Sequence, residues 1–113
     1  MDNDSLIIIE FYVAGLRYRD FEGVKDQLEE GMEVKLIPEP QNLYDPYAIK
    51  VMRENWWLGY VPMKGGQSMF IAKELAGGTK FKAEIVKLDP FNSDYWKRLR
   101  VSVKEEMPTL SPE

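Results

Sequence analysis

The chain has 113 residues, which is enough for one compact domain and too few for two ordinary ones. It contains neither cysteine nor histidine, which excludes disulfides, thiolate nucleophiles, zinc-finger sites and imidazole general bases. The net charge is -4, yet residues 1–45 carry four basic and eleven acidic side chains while residues 46–104 carry eleven basic and five acidic ones. This asymmetry is compatible with a local positive groove or with an ordinary mixed, solvated surface.

The N-terminal sequence bears on localisation. Residues 1–5 contain two aspartates and no basic side chain, and the apolar run at residues 6–9 is shorter than the roughly 7 to 15 residues of a secretory signal. Charged residues interrupt every hydrophobic run well before the roughly 20 apolar residues of a spanning helix. We therefore expect a cytoplasmic protein with no membrane partner, in which residues 1–5 are disordered.

The first half of the chain predicts two strands and a short helical segment. Residues 6–13 are rich in isoleucine, valine and aromatics and predict a buried strand. Residues 19–31 predict a single helical turn that ends at Gly31. Residues 32–37 alternate in polarity, which predicts a strand whose inward side chains are Met32, Val34 and Leu36.

Prolines then interrupt the pattern. Pro38, Pro40 and Pro46 flank residues 39–45, which cannot continue a strand ladder and therefore predict a shaped loop. Residues 48–52 and 56–61 predict a β-hairpin around the turn-like residues between them. Loops of this kind often carry function.

The second half predicts one helix and two strands. Residues 67–76 contain strong helix formers and stop at two glycines. Residues 79–88 and 99–103 alternate as strands, and in the first of them Phe81, Ala83, Ile85 and Lys87 are predicted to share one face. Residues 105–113 contain two prolines and few apolar side chains, so we expect a disordered tail.

These elements define a fold class. About six short strands with one or two short helices predict a mostly β domain over residues 6–104, built as a small antiparallel barrel or rolled sheet. The sequence shows no internal repeat.

The central part of the chain carries an ordered set of motifs. They are F11-Y-V-A-G-L-R-Y18, L36-I-P-E-P-Q-N-L-Y-D-P-Y-A-I-K-V51 and L58-G-Y-V-P62. On these motifs, over about residues 8 to 87, the chain resembles the HIRAN domain. The resemblance implies a small antiparallel β-barrel related to the OB and SH3-like barrels, with helical insertions. The chain looks like the stand-alone form of the domain.

The resemblance also implies a function. HIRAN domains occur at the N-terminal side of helicase-like fork-remodelling and repair proteins of eukaryotes, and as short stand-alone bacterial or phage proteins. The similarity implies binding of single-stranded DNA, in eukaryotic relatives at a free 3′ end. The expected partners are a single-stranded 3′ end and a helicase or nuclease acting in trans. No cofactor and no catalysis are expected, and the oligomeric state stays open.

Site residues follow from the resemblance position by position. Arg17 and Tyr18 match a phosphate-facing arginine and a base-stacking tyrosine, and Tyr60 matches the edge of the same groove. Many relatives have a basic residue directly after the proline of the last motif, where this chain has Met63 followed by Lys64. The loop expected to receive the terminal nucleotide contains Asn42, Tyr44 and Asp45.

The same residues fit single-strand binding on chemical grounds. Aromatic faces stack on bases and neighbouring cations neutralise phosphates, and Arg17, Tyr18, Tyr44, Tyr60 and Lys64 supply both. A tyrosine taken alone is more often a core or rim residue with a hydrogen-bonded hydroxyl. The aspartate before Pro46 could equally close an Asx turn that only shapes the loop.

Two other functions remain open at this stage. The acidic first segment would suit a barrel whose groove holds a peptide instead of DNA. Glu39 and Asp45 could bind a divalent metal as a carboxylate pair, although catalysis on DNA normally needs more ligands and a positioned base. Steep salt dependence of binding would distinguish DNA from a peptide, because it reports counterion release from phosphates.

Overall fold

The computed structural model describes residues 8–106. The predictions for residues 1–5 and for most of the 105–113 tail lie outside the described residues. The described part of the chain contains six strands: β1 Ile8–Tyr12, β2 Glu33–Pro38, β3 Ile49–Arg53, β4 Trp56–Tyr60, β5 Phe81–Leu88 and β6 Leu99–Glu105. The same residues contain two α-helices, α1 Phe21–Val24 and α2 Gln67–Ala76, and 3₁₀ turns at Leu16–Tyr18, Lys25–Gln27, Lys64–Gly66 and Tyr95–Lys97.

The strands form one curled antiparallel sheet in the order β1-β6-β5-β2-β3-β4. Beyond β1 the chain reaches the opposite edge strand, where the Ala14 amide donates to the Tyr60 carbonyl at 2.8 Å. The Tyr60 amide donates back to the Ala14 carbonyl at 2.9 Å. These two hydrogen bonds join the ends of the sheet, which confirms the mostly β, small antiparallel barrel class.

Gly59 permits this closure. A Cβ atom at position 59 would lie 2.3 Å from the Ala14 carbonyl oxygen and 2.6 Å from Val13 Cγ1. Both distances are too short for any side chain, so the glycine of the L58-G-Y-V-P62 motif is required by the approach of the two backbones.

The core lies inside the curl and under the helices. Its fully buried side chains include Ile49, Val51, Leu58, Ile85, Leu99 and Val101 from the strands, Phe21 from α1 and Ile71 from α2. Burial of this apolar surface supplies the main favourable free energy of folding. Among residues 8–106 no helix is long and apolar enough to cross a membrane.

Most predicted elements are confirmed, including the hairpin and the helix at residues 67–76. Residues 19–31 form a short α-turn followed by a 3₁₀ turn, with the reversal at Gly31. The last strand continues to Glu105, one residue past the predicted domain limit.

One inward prediction is wrong. Lys87 is exposed because the register of β5 against β6 shifts between Ile85 and Lys87. The extra residue of this irregularity breaks the two-residue alternation on which the prediction rested.

Candidate nucleic-acid interface

The loop between β2 and β3 is held by its own side chains. The Asn42 Oδ1 atom accepts hydrogen bonds from the backbone amides of Tyr44 at 2.8 Å and Asp45 at 3.0 Å. The Asp45 Oδ1 atom accepts from the Tyr47 amide at 2.9 Å across Pro46, which is the Asx turn foreseen from the sequence. Within residues 8–106 the other carboxylate oxygen of Asp45 makes no hydrogen bond.

This ordered loop presents two adjacent side chains to solvent. Tyr44 is 97% exposed and Leu43 is 94% exposed. Their apolar surface contributes almost nothing to the core, so neither side chain is explained by folding. Tyr44 is therefore a surface aromatic on a fixed backbone, and the core alternative does not apply to it.

Glu39 connects the loop to the barrel. Its Oε1 atom accepts hydrogen bonds from Asn42 Nδ2 at 3.1 Å and from the Tyr60 hydroxyl at 3.0 Å. Its Oε2 atom lies 3.6 Å from Lys50 Nζ. Burial raises the pKa of the Glu39 carboxyl, but these hydrogen bonds and the lysine charge outweigh burial and hold the pKa below its ordinary value. Burial and the bond to Glu39 raise the pKa of Tyr60.

A group of stacked aromatic rings and cations lies beside Glu39. The Trp57 and Tyr60 rings meet edge to face with centroids 5.5 Å apart. The Arg19 Cζ atom lies 4.0 Å from the Trp57 ring centroid and 5.7 Å from that of Tyr60. Lys50 Nζ lies 4.4 Å from the Trp57 ring centroid. Both distances to Trp57 are within the range of a cation–π contact.

Sequence reasoning missed Arg19, Lys50 and Trp57. In a regular strand Trp57 and Tyr60 would point to opposite faces, because they are three residues apart. The register between β3 and β4 shifts beside Val51, so that one strand carries an extra residue, and the two rings meet on the same side. The adjacent Arg-Tyr-Arg run at residues 17–19 was the available signal for Arg19.

Tyr18 precedes Arg19 of this group in the chain. It ends the 3₁₀ turn that follows Gly15, a glycine with a φ of 76°, and its side chain is 74% exposed. The next residue but one, Asp20, fixes the segment to β4, since its Oδ2 atom accepts from the Trp57 amide at 2.8 Å. We call the following set the aromatic face: Tyr18, Arg19, Lys50, Trp57, Tyr60 and the loop residues Glu39, Asn42, Tyr44 and Asp45.

Two predicted site residues lie outside the aromatic face. The Arg17 Cζ atom lies 4.6 Å from the ring centroid of Tyr95, whose hydroxyl donates a short hydrogen bond to Glu22. Lys64 lines a separate groove beside β1. The structure thus links Asn42, Tyr44 and Asp45 to Tyr60 through Glu39, leaves Tyr18 exposed next to Arg19 in the chain, and directs Arg17 and Lys64 elsewhere.

The loop carries two carboxylates, Glu39 and Asp45, which are the candidate metal ligands of the sequence. Residues 8–106 contain no group of three or more acidic side chains placed to hold a metal ion. Glu39 already accepts two hydrogen bonds and contacts Lys50, while one oxygen of Asp45 is used in the Asx turn. The arrangement places ordered aromatic rings next to cations, which is the combination of side chains found in domains that bind single-stranded nucleic acid.

A small antiparallel barrel with such a face defines a class of binding domain, and comparison identifies the family. The family model of the HIRAN domain matches residues 8–105. The chain therefore belongs to the HIRAN domain family.

Individual relatives agree with this assignment. A crystal structure of a protein from Lactobacillus plantarum matches with a TM-score of 0.70 and 26% identity, covering 90% of this chain and 98% of that one. The crystal structure of the HIRAN domain of human HLTF matches with a TM-score of 0.65 and 22% identity, covering 87% of this chain and 74% of that one, and supports the fold.

A curated relative is the Fanconi-associated nuclease 1 homolog of Oryza sativa subsp. japonica, 31% identical over 65 residues. The match covers 54% of this chain and 6% of that protein, so the chain corresponds to a small part of it. Membership in the HIRAN domain family indicates a DNA-related binding domain.

Proposed function

We propose that the chain is a non-catalytic module that binds single-stranded DNA, holds a free 3′-hydroxyl end on the aromatic face, and acts beside a helicase or nuclease. The observation that carries the proposal is a series of contacts that runs from Arg19, the chain neighbour of the exposed Tyr18, to the backbone of the exposed Tyr44. The Arg19 Cζ atom lies within cation–π distance of the Trp57 and Tyr60 rings. The Tyr60 hydroxyl bonds Glu39, which holds Asn42 and thereby the backbone of Tyr44.

Exposure and order together make these tyrosines suitable for stacking. A base that stacks on an aromatic ring contributes about 1 to 3 kcal/mol, and a ring on an ordered backbone loses little freedom when it does so. Tyr44 is 97% exposed, yet its amide is fixed by Asn42 at 2.8 Å. The side chain is therefore accessible while its backbone is already in place.

Arg19 is the cation of the aromatic face that remains for a phosphate. Lys50 is partly neutralised by Glu39, but among residues 8–106 no carboxylate forms an ion pair with Arg19. The Arg19 side chain is exposed, its Cζ atom lies within cation–π distance of the Trp57 and Tyr60 rings, and a guanidinium carries five N–H donors. An exposed guanidinium beside these rings is suited to neutralise a phosphate of a bound single strand.

Asp45 supports recognition of the end. One of its oxygens closes the Asx turn, and the other makes no hydrogen bond within residues 8–106. A carboxylate repels an internal phosphodiester or a 3′ phosphate, but it accepts a hydrogen bond from a 3′ hydroxyl. The turn and the end-reading role are therefore compatible, because they use different oxygen atoms.

The test compares strands of equal length and sequence that differ only in a 3′ hydroxyl or a 3′ phosphate, by fluorescence anisotropy. A charge-assisted hydrogen bond of roughly 1.5 to 3 kcal/mol predicts a ten- to hundred-fold preference for the hydroxyl. Asp45→Asn keeps the Asx turn through its own Oδ1 and should reduce the preference without unfolding the loop. Equal affinity of the unaltered protein for the two strands would reject end recognition.

A peptide-binding barrel is the second candidate, and one apolar groove favours it. The groove has a volume of about 370 Å³ and lies between the proline-flanked loop and α2, lined by Pro38, Pro40, Pro46, Tyr47, Ala72, Lys73, Leu75 and Ala76. It is separate from the exposed rings of the aromatic face. Binding to single strands that weakens steeply with salt supports the DNA function, because only phosphate contacts release condensed counterions.

A further inference from the structure

A second groove lies between β1 and the connection from β5 to β6. Its volume is about 640 Å³, and among the residues that line it are Glu10, Tyr12, Lys64, Gln67, Trp96 and Arg100. Trp96 is 60% exposed, an unusual position for the largest apolar side chain. Neither the core nor the aromatic face accounts for it.

The groove repeats the chemistry of the aromatic face with different residues. Trp96 meets Tyr12 edge to face, with ring centroids 5.8 Å apart and an interplanar angle of 87°. The Arg100 Cζ atom lies 4.9 Å from the Tyr12 ring centroid. Lys97 Nζ lies 4.8 Å from the Trp96 ring centroid.

The charge of the groove is suited to a polyanion. Among the described residues that line it, one is acidic: Glu10 accepts a hydrogen bond from Arg100 Nε at 2.9 Å and is thereby neutralised. Lys64 remains as a cation of the lining, and within residues 8–106 no carboxylate forms an ion pair with it. A strand lying in the groove would thus meet an exposed indole and a free ammonium group.

The groove and the aromatic face are connected along the surface. The 3₁₀ turn Leu16–Tyr18, which ends at the exposed tyrosine, packs against the 3₁₀ turn Tyr95–Lys97. Arg17 bridges the two turns, since its Cζ atom lies 4.6 Å from the Tyr95 ring centroid. Trp96 is the next residue, so cations and rings continue from one site to the other.

We propose that this groove is a second single-strand subsite, in which Trp96 stacks on a base that lies on the 5′ side of the terminal nucleotide. The proposal rests on the proposed function, because it extends the same strand from the aromatic face. Arg17 then contacts the phosphates between the two sites, and Lys64 contacts those beyond Trp96. The bound DNA strand would thus pass both Arg17 and Lys64, although both residues lie outside the aromatic face.

The experiment measures affinity for 3′-hydroxyl strands of about 4 and about 16 nucleotides, the limits of the usual site size on related barrels. The variants are Trp96→Ala, Trp96→Phe and, as a matched control, Phe91→Ala. Phe91 belongs to the same connection and is 75% exposed, but its ring lies against Lys25 outside the groove. Thermal melting of each variant verifies that the fold is retained.

We expect Trp96→Ala to weaken the long strand about tenfold and to leave the short strand unchanged, because only the long strand reaches the groove. Trp96→Phe keeps a stacking face and should retain most of the affinity, and Phe91→Ala should alter neither strand. An equal loss of affinity for both strand lengths in Trp96→Ala, or no loss for the long strand, overturns the proposal that this groove binds DNA.

The experiments distinguish a groove that binds no DNA from a protein that does not recognise the 3′ end. If the unaltered protein binds 3′-hydroxyl and 3′-phosphate strands equally while Trp96→Ala still weakens only long strands, the groove is supported and end recognition is rejected. If the protein prefers the 3′ hydroxyl and its affinity does not depend on Trp96 at either length, end recognition is supported and the groove is rejected as a binding subsite.

Discussion

Removing the ring of Tyr44 tests whether the exposed loop is a stacking platform. The side chain is 97% exposed, and Tyr44→Ala retains the backbone amide that donates to Asn42. The free energy of unfolding should therefore change by no more than about 0.5 kcal/mol, as for other surface substitutions. The loss of one base stack should weaken single-strand binding by about 1 to 3 kcal/mol, or about five- to hundred-and-fifty-fold.

The neighbouring residue supplies the control. Leu43 is 94% exposed on the same ordered loop, so Leu43→Ala removes a comparable apolar side chain without removing a ring. Anisotropy titrations of both variants with one 3′-hydroxyl strand, paired with denaturant melts, separate binding from stability. Tyr44→Phe should bind like the unaltered protein, since stacking does not require the hydroxyl.

Two results would refute this reasoning. A large loss of stability in Tyr44→Ala with unchanged DNA affinity would mean that the ring supports the fold. Equal losses of affinity in the Tyr44 and Leu43 variants would mean that the loop is disturbed in a general way and that no base stacks there.

Three further predictions concern the barrel closure, the phosphate path and the loop anchor. Gly59→Ala should lower the free energy of unfolding by about 1 to 3 kcal/mol in denaturant melts, because its Cβ would lie 2.3 Å from the Ala14 oxygen. An unchanged denaturation midpoint would contradict the requirement for glycine where the barrel closes. Arg17→Ala should weaken binding to all sequences alike and reduce the salt slope by about 0.7, the value for one single-strand phosphate; altered sequence preference would show instead that it contacts a base. The lowered pKa of Glu39 stabilises the folded state fully above the ordinary value of 4.5, and this contribution is lost as the pH falls through the depressed pKa. Glu39→Gln should remove this pH-dependent part of the folding stability from melts recorded at acid pH. An unchanged dependence of stability on pH would contradict the role of Glu39 as the loop anchor.

Local patterns in the sequence were sufficient for most of the fold. Alternation predicted the strands, two glycines marked the end of α2, and prolines marked the loop after β2. The Asx turn at Asp45 was also available from sequence, because it depends on residues only two positions apart. These features share one cause, since each depends on neighbours along the chain.

The composition of the candidate site was decided by tertiary structure. A register shift at Val51 brings Trp57 and Tyr60 to the same side, and only then can Arg19 lie within cation–π distance of both rings. A second shift turns Lys87 outward. A two-residue period holds only while the ladder is regular, and a single extra residue reverses every side chain beyond it.

The destinations of Arg17 and Lys64 likewise required the fold. Arg17 and Arg19 are two residues apart on one turn, yet the first contacts Tyr95 and the second contacts Trp57. Lys64 lines the groove beside β1 because the chain after Tyr60 passes the residues that close the barrel. The sequence by itself determined which aromatic and basic side chains are candidates for contacting single-stranded DNA. The pairing of distant strands decided which of them share a surface, because a cation–π contact depends on distances that no local pattern encodes.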